Sequence, residues 1–349
     1  MDSIRPINKL RRFLTTGLTR NIGRSEAARI SGQVEESSIK RLLIVRPNHR
    51  LGNMLMVTPL IQEISNIFPE AEVDIFVKGG VASVVLQNYS CIKNIIRLPK
   101  EPFKEFGKYI SGWREIRKRS YDIVINAARS SSSGKLATKF ARAKYKFYGT
   151  DEEEISAKYA DYRHVAKYPV YSLRNSLQKM GIAGAGTAMP SVNMMLSVEE
   201  LEKGKEIVRG LARDSTRVIS LFTYATGPKC YTEEWWEKFH GDLKQAFPGV
   251  QILEILPVEN ISMIKFCEPS FYSKDIREIA AVIANTDIFI GADSGIMHLA
   301  SSSLTSTFGL FSFTDPENYG PYNNGSLSIV TNKMSFDEIN AAVARVLNS

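Results

Sequence analysis

Cysteine is scarce in this 349-residue chain: Cys91, Cys230 and Cys267 lie far apart and form no Cys-x-x-Cys pair. That excludes a disulfide-stapled fold and gives no zinc-finger ligand spacing, so free thiols are expected. Long apolar runs are also missing. No stretch reaches the roughly 18 apolar residues that a spanning helix needs. The N-terminus has no apolar signal core followed by a small-residue cleavage site, so a cytoplasmic protein is expected. The first strand-like segment, Arg41–Arg46, is not followed by Gly-x-Gly-x-x-Gly, which argues against a nicotinamide-dependent enzyme. Arg129–Lys135 (RSSSSGK) comes near a phosphate loop. It lacks the first glycine, however, and has Leu136 where a magnesium-binding Ser or Thr would stand, so it reads as a flexible loop.

What is present is the composition of a globular protein, 44% hydrophobic and 23% charged, and long enough for two domains. Lys and Arg outnumber Asp and Glu by 45 to 37, giving a net charge of +8 and a bias toward anionic partners. Charge alone does not choose among nucleotide sugars, anionic lipids and nucleic acids. Nothing else favours nucleic acid, and none is expected as a partner. Residues 1–38 stand apart: Arg5, Lys9, Arg11, Arg12, Arg20, Arg24 and Arg29 are scattered among Ile4, Leu10, Phe13, Leu14, Leu18 and Ile22. Two readings stay open there, a basic amphipathic helix on an anionic membrane surface and a loosely ordered extension.

From residue 41 onward, strand and helix signals alternate. Arg41–Arg46 reads as a strand and Pro47–Asn53 as a loop. Thr58 and Pro59 read as the N-cap and first residue of a helix to about Phe68, and Val73–Val77 as a strand. A strand near Asn94–Leu98, a helix near Phe103–Arg119 and a strand at Tyr121–Ala127 follow. Residues 149–195 look irregular. Ser197-x-x-Glu200 is a capping box that opens a helix to about Gly210. The alternation then restarts with Val218–Phe222, Thr232–Ala246, Val250–Leu256, Lys274–Asn285, Asp287–Gly291 and Thr307–Phe311. A last amphipathic helix is capped at Ser335. Two successive βα halves predict two Rossmann-like domains, with ligand at the carboxyl ends of the strands, in the cleft between them.

Two loops carry candidate chemistry. Arg50, Gly52 and Asn53 follow the first strand. In the second half, Asp293-Ser294-Gly295 leads from a buried strand into a helix that carries Met297 and His298. A glycine there allows close approach, and the helix start offers free N–H groups and a positive dipole end to an anion. Thr223, Thr226 and Lys229 follow the strand Val218–Phe222, and a flexible lysine there can neutralise a diphosphate. Glu259 follows Val250–Leu256. Trp235 and Trp236 read as packing residues, and Thr314 and Asp315 as local caps.

The run Gly291–Tyr322, together with Arg50-Leu-Gly-Asn53, Thr58-Pro-Leu60 and Pro69–Asp74, resembles glycosyltransferase family 9, the lipopolysaccharide heptosyltransferases. The resemblance spans roughly residues 40–348 and implies the α/β GT-B fold. The implied boundaries are a basic extension at 1–38, an acceptor domain at 39–200, a nucleotide-sugar domain at 201–332, and a final helix at 333–349 packing back on the first domain. It implies an inverting, metal-independent transfer, with no cofactor beyond the donor substrate, ADP-heptose in the best-known members. The acceptor would be a lipid-linked saccharide such as the lipopolysaccharide core; peripheral contact with the anionic cytoplasmic face of the inner membrane is one of the two readings that the basic residues 1–38 leave open. No Asp-x-Asp stands near these loops. By the resemblance, Asn53, Lys229 and Asp293 are catalytic. Thr223, Thr226, Lys229, Glu259, Asp293, Ser294, Gly295, Met297 and His298 hold the donor, and Arg50, Gly52 and Asn53 face the acceptor.

One position departs from the family pattern. The signature's final Asp, taken as the base on the acceptor hydroxyl, is Asn53 here, and asparagine cannot take a proton. Another group would then act as base, with His49 and Asp74 nearest in sequence. Otherwise Asn53 orients the hydroxyl while water takes the proton, or the chain binds a nucleotide sugar without transferring it. Another Rossmann-type nucleotide-sugar enzyme, such as an epimerase, is a further reading.

Overall fold

The computed structural model describes residue 22 and residues 34–102, 104–183, 186, 188–212 and 217–348. Residues 1–38, for which a basic amphipathic helix and a loose extension both stay open, fall largely outside them. No described helix is long and apolar enough to cross a membrane.

The chain forms two compact units. The first contains a parallel sheet in the order β3-β2-β1-β4-β5: β1 Arg41–Arg46, β2 Glu72–Lys78, β3 Ile92–Leu98, β4 Ser120–Asn126 and β5 Arg142–Phe147. Five of the six residues of β1 are buried, because a central parallel strand is covered on both faces. Leu43, Val45, Phe76, Ile116 and Val124 form one layer of that cover. The helices of the unit are α2 Thr58–Ile67, α4 Phe106–Lys118, α5 Ser132–Phe140, α6 Glu152–Lys158 and α7 Lys167–Lys179, with α1 Leu51–Leu55 and α3 Val81–Val85 lying between them in sequence.

The second unit has a six-stranded parallel sheet in the order β11-β10-β9-β6-β7-β8. Its strands are β6 Val218–Phe222, β7 Gln251–Ile255, β8 Ser270–Phe271, β9 Ile288–Ala292, β10 Ser306–Phe311 and β11 Leu327–Val330. Counted from β6, the order is that of a doubly wound dinucleotide-type sheet, and it reverses between β6 and β9. Helices α8 Val198–Leu211, α9 Glu233–Ala246, α10 Ile276–Ala284, α11 Gly295–Ser302, α12 Pro316–Tyr319 and α13 Phe336–Leu347 complete it. Full capping boxes start α8 at Ser197 and α13 at Ser335. Trp236 is fully buried in the core beneath α9 and partly buried Trp235 packs against the same core, so the aromatic pair is packing, as its position suggested.

Several expectations are corrected. Residues 149–195 are not irregular; they contain α6 and the thirteen-residue α7. The RSSSSGK segment is not a loop, because the Ser131 hydroxyl accepts the Gly134 N–H and caps α5. Helix α2 already begins at Thr58, one residue earlier than expected, and the Thr58 hydroxyl donates to the Leu55 carbonyl and accepts the Asn193 N–H. Residues 50–58 and 84–88 group with the second unit, and residues 191–349 complete it, so the division is not a single cut near residue 200. The last helix was expected to pack back on the first domain. Instead Ile339, Ala342, Val343 and Leu347 of α13 enter the same core as Ile219, Trp236 and Phe308, because its apolar face matches the floor of its own sheet.

Candidate functional site

The second unit encloses a cavity of about 790 Å³ at the carboxyl ends of its strands. Its walls are the loops after β6, β7, β8, β9 and β10, together with α1. This is the topological switch point between β6 and β9, where open α/β sheets leave a crevice for ligand.

Asp293 sits one residue beyond β9 and is buried to 4% exposure. Lys229, at the end of a short turn after β6, places Nζ 2.5 Å from Asp293 Oδ2. The Thr314 hydroxyl donates to the same oxygen at 2.5 Å. His298 Nε2 lies 3.6 Å from the other oxygen, Oδ1. Burial pulls His298 down from the usual 6.5 to about 4, and the positive charge of Lys229 adds to that, against the opposing pull of Asp293. His298 is therefore a neutral imidazole at neutral pH.

Next to Asp293, the Ser294 hydroxyl accepts the Met297 N–H and caps α11. The first-turn N–H groups of Gly295 and Ile296 have no acceptor within the helix, and their dipole end faces the cavity. A Cβ at Gly52 would lie 2.5 Å from His298 Cδ2, so α1 can seat on α11 only because residue 52 has no side chain. Arg50, Lys229 and Lys274 bring positive charge to the lining, while Glu259 and Asp293 bring negative. One end is apolar, made by Phe222, Leu256, Pro257, Val258, Ile276 and Ile279. The result is a concave site with an apolar end, cations and free N–H groups, suited to a nucleoside phosphate.

Of the residues singled out in the sequence, Arg50, Gly52, Asn53, Thr226, Lys229, Glu259, Asp293, Ser294, Gly295 and His298 all line this one cavity. Arg50, Gly52 and Asn53 thus belong to the same unit as the donor-side residues, not to a separate acceptor domain. Two others do not line it. Thr223 turns inward, where its hydroxyl donates to the buried Glu254 at 2.7 Å and accepts the Met263 N–H. The buried Met297 side chain packs under α11, and its N–H is taken by Ser294. Asp74 is removed as a base: it is buried in β2 and holds Asn94, Arg119 and Tyr121. Exposed His49 is not among the cavity residues. Asp315 caps α12, as its type suggested, but Thr314 reaches Asp293 instead. Tyr224 and the residues of the apolar end carried no signal in the sequence, because they come together only when the loops after β6, β7 and β8 do.

The model of glycosyltransferase family 9 (heptosyltransferase) matches residues 273–339, a segment that holds Asp293, Ser294, Gly295, His298 and Thr314. The lipopolysaccharide core heptosyltransferase OpsX of Haemophilus influenzae is 20% identical over 301 residues, covering 82% of each chain. The crystal structure of a family 9 glycosyl transferase from Veillonella parvula superposes with a TM-score of 0.65 at 18% identity, over 89% of this chain and 98% of that one. The Escherichia coli heptosyltransferase WaaC with ADP gives 0.62 at 15%, over 88% and 99%. With its two parallel α/β units, the chain has the GT-B fold, and it is similar to glycosyltransferase family 9 through residues 273–339 and through these relatives.

Proposed function

We propose that this protein is an inverting glycosyltransferase that moves a sugar, heptose from ADP-heptose, onto a saccharide of the lipopolysaccharide core. The observation that carries the proposal is the Lys229–Asp293–Thr314 cluster beside the start of α11 in the second-unit cavity. Relatives named as heptosyltransferases, one of them solved with ADP, point to the same donor class.

In this reading the apolar end takes the nucleobase, and the diphosphate lies against the first turn of α11. Leaving-group departure puts charge on the phosphate oxygens, where Lys229 and the helix dipole stabilise it. Asp293, held by Lys229 and Thr314, bonds sugar hydroxyls. Neutral His298 supports the turn and donates or accepts a hydrogen bond without adding charge. Asn53 orients the acceptor hydroxyl through its amide, and the proton leaves to water late in the attack. Among the cavity residues the carboxylates are Asp293, already ion-paired, and Glu259, which is exposed. That same shortage of a base motivates the second reading, a nucleotide-sugar binder without transfer.

Donor and acceptor kinetics decide between them. Lys229→Ala and Asp293→Ala are expected to lower kcat/KM by about 10²–10³-fold with circular dichroism unchanged, the range seen when one preorganised charge-stabilising group is removed. Unchanged donor kinetics in either variant removes that half of the site. Donor binding without turnover across a panel of core saccharides favours the binder. Asn53→Asp should raise the rate if the site only lacks a base, and should lower it if the amide is adapted to this acceptor.

A further inference from the structure

Away from the cavity, His240 on α9 and the Cys267-Glu268 pair before β8 offer three metal-ligating atoms within 4.8 Å of one another. The segment that presents the pair turns back through two consecutive left-handed residues, Lys265 at φ 56° and Phe266 at φ 54°. Glu268 is nearly buried and its Oε1 lies 2.9 Å from His240 Nε2 and 2.6 Å from Lys244 Nζ. A carboxylate only accepts, so this contact is donated by Nε2, and in the neutral ring that arrangement leaves the lone pair on Nδ1. Nδ1 faces Cys267 Sγ at 4.0 Å, long for a strong hydrogen bond.

We propose that His240 Nδ1 and Cys267 Sγ form a site for a soft divalent cation of the zinc class, with Glu268 as the outer carboxylate that fixes the histidine. Metal-bound histidines commonly donate their other N–H to a carboxylate, as His240 does here. Zinc takes nitrogen at about 2.0–2.1 Å and sulfur at about 2.3 Å, which sets the two ligands roughly 3.6 Å apart at a tetrahedral angle. The observed separation closes to that with a shift of a few tenths of an ångström. Cys267 is exposed and has no disulfide partner, so water can complete the coordination.

Lys244 is the cation already paired here, and its side chain is 55% exposed. Binding replaces the S–H bond with a metal–sulfur bond; the thiol proton leaves to solvent, and nothing is oxidised or reduced. The ion would tie the segment between β7 and β8, whose first residues line the cavity, to α9. It is a fastening outside the cavity and takes no part in the transfer step.

The full chain, stripped with a chelator, is titrated with Zn²⁺ against a chromophoric competitor and with Co²⁺ by absorption. The expected result is one ion per chain, about one proton released per ion, and a thiolate-to-cobalt charge-transfer band. Cys267→Ser abolishes the band, and Cys267→Ala repeats the loss without a hydroxyl. Glu268→Gln weakens binding by about 10–100-fold, the usual effect of losing an outer-shell partner. Thermal melts of the metal-free variants check that each is folded. No stoichiometric binding to the wild type, or the same cobalt spectrum in Cys267→Ser, overturns the site and leaves a thiol–imidazole contact only.

Discussion

Asn53 and His298 differ in what they can do with a proton. The amide of Asn53 neither gains nor loses one near neutrality, whereas the His298 imidazole is kept from gaining one by its burial. Protonation of His298 therefore favours the unfolded chain. Unfolded, the ring takes a proton near 6.5; folded, only at about 4. Between those values the unfolded state binds more protons, so stability falls as pH falls, and below about 4 this loss is complete. His298→Gln removes the difference. In urea denaturation, the wild type should lose more stability than this variant between pH 7 and pH 5, and equal losses would mean that the ring is not held neutral. Glu200 does not confuse the window. Its carboxyl is held down to about 2, chiefly by Arg277, so its contribution is lost only below the ordinary carboxylate range. At this scale the sequence was informative about residue type and poor about direction. Ten of twelve site residues reach one cavity, yet Thr223 turns to Glu254 and Met297 lies under its helix. Which way a side chain leaves a strand end depends on twist and on partners far off in sequence, and neither is written in the local motif.

At the scale of elements, the signals that succeeded were local ones. Capping boxes at Ser197 and Ser335, and strands buried on both faces, need nothing beyond their own residues. The signals that failed were weak ones. Helix α6 buries only Ile155, and α7 is rich in tyrosine and carries Pro169 in its first turn, so neither shows a clean apolar stripe. Helix pairing was also illegible. A Cβ on Gly204 of α8 would lie 2.3 Å from the Ala281 carbonyl oxygen of α10, so the two helices meet backbone to backbone there. Helix propensity favours alanine over glycine by up to about 1 kcal/mol. Contact with backbone that cannot rotate aside outweighs it. Gly204→Ala should destabilise the protein by about 1–3 kcal/mol, the usual cost of overpacking, read as a lowered midpoint in chemical denaturation. A stabilised variant would show that α8 and α10 have room to part.

At the scale of the whole molecule, the second unit is not a continuous stretch of chain. Residues 50–58 and 84–88 belong to it although their neighbours in sequence belong to the first unit. Each supplies something that 191–349 lacks. Helix α1 brings Gly52 against His298 and Leu51 near Gly295, covering the first turn of α11. The Val84 carbonyl accepts from Arg277 of α10 at 3.0 Å. Arg277 is almost fully buried; its guanidinium also holds both oxygens of Glu200 and the carbonyls of Met194 and Met195. A buried charge with one acceptor removed loses a charge-assisted bond, worth about 1.5–3 kcal/mol, unless water replaces it. A fragment of residues 191–349 should therefore fold less stably than the same residues in the full chain. Its α10 and α11 amides should exchange hydrogen faster, because local opening follows local stability. ADP binding to the fragment should also weaken, since Arg50 and Asn53 line the cavity from the missing segment. Equal amide protection in fragment and full chain would show that the two short segments merely pass over the second unit, and the family signature at Arg50–Asn53 would then have to act from elsewhere.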